Sequence, residues 1–571
     1  MRKYNLTSVL LLLLIICPVD GKTLDGERMF LATDRELYVA GGEIHFTCTL
    51  ISQDTAYPGG GTIAYIELIT PNGEKILGQK RPIQNGICKG SVTVPSEALS
   101  GNYYLRAYTK VMRNQPAETF AYCYLKIINP QRTEVLEYND HDADDHHTRL
   151  ESLKLADVFQ IDIDADSVSS RKEVLVKISR QDTLSRKFTQ TIVSIVPLIS
   201  RQQTSLTSIQ FQNDTAAQGP FDAESEGPTI SGTIAGQSRP GTVNITLLEP
   251  EQNNFYPVST DLAGRFSFVF KEKYGEQDLF ISFDEKNPAA ALLIDNDFCS
   301  KNIVLPSPPF DLNEKERRYV LEVANHQKIN KYFGMPVEKG SAAKTKHDGS
   351  GVADKTGSSG LLNQNMDTIP FYGKPDHVIY VSDFIQMSQL KDYLTELPVP
   401  VRIRKKGNED VISILGAQAE MQIFPPLLMV DFAPVYDVSS ILQLDPEKVL
   451  RFDILVSPYI RGEMTYGGIL NVISNNNDFA GIKLPEKGLF VKYQLLTDKN
   501  DLHNRMAPMP PHIPDTRSTL YWNPSFDFGQ SGTRTLRFLS GDMQGVYVIQ
   551  VTGITSAGER LITEKQIHVV Q

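Results

Sequence analysis

From Met29 to Pro130 short runs of alternating apolar and polar residues recur between turn signals. Ala32–Phe46 opens the series, and Ala64–Thr70, Ile87–Val94, Asn102–Thr109 and Phe120–Ile128 continue it, with Pro71-Asn72-Gly73 and Ser100-Gly101-Asn102 between them. Period-two alternation in runs of this length predicts strands with one buried face, and their spacing predicts a β-sandwich over residues 29–130. The pattern returns at Val158–Ser179 and Thr191–Pro197, which predicts a second, smaller sandwich over 150–200. Ile230–Ile234, Thr242–Leu248, Thr260–Phe268 and Asp278–Phe283 predict a third over 228–300. A last set, Thr535–Leu539, Val546–Val551 and Ile562–Val570, predicts a C-terminal sandwich over 515–571.

The pattern changes between 369 and 500. Ser382–Leu397 carries apolar residues at Phe384, Ile385, Leu390, Tyr393 and Leu394, the spacing of an amphipathic helix that Pro398 and Pro400 end. Strands follow at Val401–Arg404 and Val411–Leu415. Pro425–Ser474 then reads as an apolar strand, a turn, a short helix beginning near Val438, a second strand, a glycine turn and a third strand. A further helix is expected over Asn325–Phe333. The Gly-, Ser-, Ala- and Lys-rich stretch 334–368 reads as a flexible linker, as do Asn139–His147 and Gln202–Gly227.

Composition agrees with a globular β-rich chain. Apolar residues make up 41% and charged residues 22%, and Gly, Pro, Tyr and Phe are all plentiful. Arg2, Lys3 and the apolar run Val9–Ile16 form a targeting segment too short to span a bilayer, so residues 1–21 are expected to be a cleaved secretory signal, with Gly21 at the cut. Lipidation at Cys17 is the weaker alternative, because Ile16 is bulky and Pro18 follows. No other run looks apolar enough to cross a membrane. Losing residues 1–21 removes two positive charges and one negative, so the net charge goes from −11 to −12. Such an acidic product is a poor partner for nucleic acid or anionic lipid. The one basic cluster, Arg402–Lys406, reads as the exposed face of a strand entering a turn.

Candidate chemistry is sparse. His141, His146 and His147, with the aspartates around them, have the donor types of a divalent-metal site. Consecutive residues of a linker rarely converge, so a solvated charge run is the stronger reading. His45 and His568 are expected to be packing residues in strands. Cys48, Cys88 and Cys123 share one predicted domain, which allows one bridge, and Cys48–Cys123 is the pairing expected if one forms. Asp431, after an apolar strand, is tempting as a catalytic carboxylate. No nucleophile elbow, HExxH, P-loop or dinucleotide fingerprint is present, so no catalytic or cofactor-binding residue and no cofactor is expected. Asn244-Ile245-Thr246 is an N-glycosylation acceptor pattern.

Three resemblances organise these segments. Thr33, Asp34, Tyr38, Gly41 and Phe46 fit T-D-x-x-x-Y-x-x-G-x-x-x-x-F, and so the first domain resembles the second macroglobulin-type domain of α2-macroglobulin-like proteins. Tyr274-Gly275-Glu276-Gln277 has tyrosine where the thioester motif of that family needs cysteine, which removes covalent trapping. The Asp261–Phe266 turn is similar to that of carboxypeptidase-regulatory-like sandwiches. Leu427–Asp431 and Gly467–Ile473 resemble the plug domain of TonB-dependent receptors, with Phe432 in place of the usual Gly, which implies a different turn geometry. Only 97 residues follow Ser474, too few for a barrel, so a plug detached from a pore is expected. The expected fold is mainly β, tandem Ig-like or macroglobulin-type sandwiches with one α+β plug-like domain over 369–500. The resemblances imply a non-catalytic envelope or surface protein of a Gram-negative bacterium, in the periplasm or at the outer membrane. Its partner would be a protein, an outer-membrane β-barrel being the candidate. The alternative is a macroglobulin-like protease inhibitor without a thioester, using 334–365 as bait.

Overall fold

The computed structural model describes residues 27–51, 61–136, 155–181, 188–201, 221–333, 370–415, 423–497 and 509–571, apart from a few single residues and pairs within them, together with Leu150–Ser152, Thr204–Leu206 and Asn504. The chain is mainly β, and its sheets pair into several sandwiches.

The first sandwich follows the alternation closely. A three-stranded sheet (Arg28–Thr33, Glu43–Ile51, Ile87–Thr93) faces a five-stranded one ordered Leu37–Val39, Ala121–Ile128, Gly101–Tyr108, Ile63–Ile69, Lys75–Pro82. Phe46, Tyr65, Leu105, Tyr108 and Leu125 fill the space between them. Burial of such side chains stabilises by about 1.5–3 kcal/mol each before entropy is counted.

The second sandwich is discontinuous, which corrects the expectation of separate domains at 150–200 and 515–571. Glu173–Arg180 pairs along its length with Thr533–Leu539, and Phe188–Pro197 lies between Gly545–Thr555 and Tyr521–Asn523. The two expected half-domains thus contribute to the same two sheets and to one core, with Val176 and Ile195 meeting Phe538 and Ile549. Their strands are too few for two cores but enough for one.

The third sandwich is also completed from a distance. Thr229–Ala235, Arg265–Val269 and Ala291–Ile294 form one sheet. Asn254–Ser259, Thr242–Leu248 and Glu276–Phe283 form the other, which gains Leu489–Gln494 at its edge. Residues 370–484 are therefore inserted between strands of the third sandwich, and the third sandwich is itself inserted between strands of the second.

One helix, α1 (Glu314–Tyr332), wedges between the first two sandwiches, and it starts eleven residues before the expected Asn325. An Asn313/Glu316 capping box fixes its start, and Glu316 also pairs with Lys126 at 3.0 Å. Tyr319 and Val320 pack on Leu37, Val39, Ile128 and Met543. No helix among the described residues is long and apolar enough to cross a membrane.

The inserted α/β module has a five-stranded sheet ordered His377–Tyr380, Val449–Leu455, Ile469–Ser474, Leu427–Val430, Ala433–Pro434, with Leu427–Val430 parallel to Ile469–Val472. Helices Leu390–Glu396 and Val438–Leu442 and the hairpin Val401–Lys406/Glu409–Ile414 contribute to a shared core on one face. The first of these helices is shorter than the expected Ser382–Leu397, whose start is a 3₁₀ turn at Val381–Asp383. On the other face Met429, Phe432, Ile469 and Tyr372 close over Phe255 of the third sandwich.

Candidate interaction surface

The T-D-x-x-x-Y pattern of the first sandwich is a buried polar staple. The Tyr38 hydroxyl donates to Asp34 Oδ1 at 2.7 Å, and the same oxygen accepts the His45 N–H at 3.0 Å. Asp34 Oδ2 accepts from the hydroxyl of Thr519, a residue of the second sandwich. Burial and the adjacent Asp34 carboxylate push the Tyr38 phenol well above its ordinary pKa, so it stays a donor. The motif thus sets the entry turn and also joins two sandwiches. Around it Gln190 reaches both Thr47 and Thr49, and Trp522 packs against Ala32, Ile192 and Ile554.

Beside this junction lies a cavity of about 280 Å³, lined in part by Phe30, Glu36, Tyr122, Cys123 and Arg560. The Arg560 guanidinium sits 5.8 Å from the Phe30 ring, and its buried Nε has no hydrogen-bond partner among the described residues. Burial and the neighbouring Arg201 hold its pKa below the usual guanidinium range. Arg201 pairs with Glu36 at 2.5 Å, which balances charge at the cavity wall. Burial pushes the Cys123 thiol up to about 12, so it is no nucleophile near neutral pH.

In the module, Asp431 is fully buried and structural. Its Oδ1 accepts the Ser474 N–H at 2.7 Å, and its Oδ2 accepts the Ser474 hydroxyl at 2.6 Å and the Phe479 N–H at 2.7 Å. Burial raises its pKa against the pull of these three donors. Phe432 does not change the turn as expected. Asp431 and Phe432 both take left-handed φ (47° and 64°), the conformation a glycine would favour. The Phe432 ring, 6.0 Å from Tyr372 and 6.1 Å from Phe371, supplies packing that glycine lacks and offsets the backbone cost.

Among the described residues, His377–Tyr380 is an outermost strand of the module's sheet, paired with Val449–Leu455. Val378 on this strand and Phe384 and Ile385 just beyond it are exposed, Ile385 at 85%. An outer strand flanked by exposed apolar side chains is the kind of surface on which another chain can pair. The basic run Arg402–Lys406 is the outward face of a hairpin turning at Gly407, and its lysines stand opposite Asp410 and Glu409.

Other expected positions resolve plainly. His141, His146 and His147 lie outside the described residues, as does all of 334–365. Among the described residues no group of three or more His, Cys, Asp or Glu is arranged to hold a metal. His45 is buried as expected, whereas His568 is exposed on its strand and is not a packing residue. Gln277 of the thioester-like tetrapeptide lies in the strand Glu276–Phe283 and donates to the Leu248 carbonyl of its neighbour Thr242–Leu248. Asn244 is buried and bonded to the Tyr436 hydroxyl, so the folded chain offers no glycosylation acceptor there. The four described cysteines are free thiols, and Cys48 stands opposite Cys88 rather than bridged to Cys123.

Comparison with known proteins bears on the first sandwich. Residues 28–120 match the MG2 domain model, so this sandwich is a macroglobulin domain. No curated protein sequence matches the chain. Among solved structures it is similar to trypsin-activated α2-macroglobulin from Escherichia coli, at 9% identity and TM-score 0.23, over 96% of this chain and 42% of that one. It is similar to Salmonella α2-macroglobulin reacted with methylamine, at 10% identity and TM-score 0.20, over 95% and 39%. A third is the Escherichia coli adhesin FdeC, at 10% identity and TM-score 0.13, over 47% and 63%. The chain spans about four-tenths of the length of these macroglobulins.

Proposed function

We propose that this is an exported, non-catalytic protein of a Gram-negative envelope that works through protein contacts, with the inserted module as its docking face. The observation that carries the reading is the exposed apolar group Val378, Phe384 and Ile385, on and just beyond the outermost described strand of the module. The sandwiches form a platform that presents this group. The module is read as plug-like from its order of strand, tight turn, short helix, strand and closing strand, and from the left-handed turn at Asp431–Phe432. A plug-like module suits an outer-membrane β-barrel as partner. The third sandwich is read as carboxypeptidase-regulatory-like from its Asp261–Gly264 turn, where Asp261 Oδ1 accepts the N–H groups of Ala263 and Arg265.

A photo-crosslinker at position 385 tests the reading in cells. A crosslink to an outer-membrane barrel protein, lost in a V378D/I385D variant, is the expected result. Unchanged recovery of the same partner by affinity capture with a chain lacking 370–484 would sink it. The MG2 domain also favours a second reading, a thioester-free protease binder with bait in 334–365. Cleavage there with no stable protease complex argues against that alternative.

A further inference from the structure

Cys48 and Cys88 lie on neighbouring strands of the three-stranded sheet, directly opposite one another in antiparallel register. Two residues along the same pair of strands, the Leu50 N–H donates to the Gly86 carbonyl at 2.8 Å. That phase makes Cys48/Cys88 a hydrogen-bonded pair, a position that holds Cα atoms about 5.5 Å apart. Disulfides span about 4.4–6.8 Å between Cα atoms, so the Cα separation of this pair lies within bridging range. Opposed residues share a face, and both side chains point into the same core at 1% exposure. The Cys88 thiol is near enough to hydrogen-bond with that of Cys48 and help raise its pKa, behind the larger effect of burial. Cys123 belongs to the facing sheet, and its thiol donates to the Leu31 carbonyl at 3.2 Å.

We propose that Cys48 and Cys88 form a cross-strand disulfide when the chain folds in an oxidising compartment, with Cys123 and Cys299 left as thiols. That it forms in the cell rests on the export reading; that the fold accepts it does not. With glutathione disulfide as oxidant, one cysteine thiolate attacks it, forms a mixed disulfide and releases one glutathione thiolate. The second cysteine thiolate displaces the other glutathione. Two thiols lose two protons and two electrons, and one glutathione disulfide becomes two glutathione thiols. Burial raises the Cys48 pKa in the folded chain, so the exchange belongs to folding, before the pair is enclosed.

Each of the four described cysteines falls in its own tryptic peptide, at 36–75, 81–89, 114–126 and 287–301. The whole chain is unfolded and reduced, returned to native buffer through a glutathione couple, alkylated and digested without reduction. In parallel, the chain is taken directly from cells with its thiols blocked at lysis. The expected result is a 36–75/81–89 linked pair, with loss of alkylation at Cys48 and Cys88 only, and unchanged linkage in a C123S variant. Full alkylation of all four cysteines after glutathione refolding overturns the proposal, as does a 36–75/114–126 pair. A bridge formed in glutathione but absent from the cellular chain upholds the pairing and counts against export.

Discussion

Replacing Asp431 separates a structural carboxylate from a catalytic one. In Asp431→Ala three hydrogen bonds to a carboxylate are lost, and the Ser474 and Phe479 N–H groups are left facing a buried void. Each orphaned buried donor costs about 1–3 kcal/mol. Alanine at a φ of 47° adds about 1 kcal/mol of backbone strain, which Asp and Asn tolerate better. Water entering the void returns part of this, and the expected net loss is about 3–5 kcal/mol. Asp431→Asn keeps the turn preference and one acceptor, but points an NH₂ at a donor. It is expected to lose about 2–3 kcal/mol. The chain has several domains, so global melting does not isolate the module, and amide exchange at 427–430 and 469–474 is the assay. At about 1.4 kcal/mol per tenfold, Asp431→Ala should speed exchange by about two to three and a half orders of magnitude when opening stays confined to the module. Protection unchanged within tenfold in both variants would refute the argument. Loss in the alanine variant alone would assign the effect to the backbone, not the carboxylate.

Three further outcomes follow from named contacts. Phe432→Gly relieves left-handed strain but removes a buried ring, and is expected to destabilise the module by about 2–4 kcal/mol, read by the same exchange. Thr519→Val leaves Asp34 Oδ2 without its hydroxyl donor at a buried junction, and should cost about 1–3 kcal/mol, seen as faster exchange at Asp34–Tyr38. Two hydrogen bonds from Arg171 hold the Asp542 carboxyl below its ordinary pKa. A depressed folded pKa stabilises above the unfolded value of about 3.9, and that contribution is lost as pH falls through the folded one. Wild type should therefore lose Tm more steeply than Asp542→Asn on acidification below about pH 4, and parallel curves would count against the pair.

The first sandwich was legible because its strands alternate with one face buried, and because Thr33, Asp34 and Tyr38 stand at fixed offsets that a local staple requires. Strand pairing was not legible. Glu173–Arg180 alternates clearly, yet nothing in that alternation says that its partner is Thr533–Leu539. Helix α1 was misplaced because its first three turns are mostly charged, although Asn313 and Glu316 carried a capping-box signal. The turn at Phe432 was misread because backbone propensity was weighed without the ring packing that outweighs it. His568 alternates onto the solvent face, a matter of register that a lone histidine in a strand does not reveal.

Nested insertion explains how a chain of this length holds distant strands in register. Closing a flexible loop costs only about 0.6 kcal/mol per doubling of length, but a long unfolded loop would still weaken the pairing it spans. Here the insert between Phe188–Pro197 and Tyr521–Asn523 is largely folded, and its two ends emerge side by side, since Ile195 pairs with Tyr521. The same holds one level down, where Glu276–Phe283 pairs with Leu489–Gln494 across the inserted module. Each insert thus presents its ends at the spacing its host needs, so host and insert stabilise one another. The module is tied to the third sandwich at Phe255, by the cluster around its ring and by Arg461 bonding its carbonyl. Load applied to the module passes into the third sandwich through two chain crossings and a packed face, unlike load on a domain hung from a single linker.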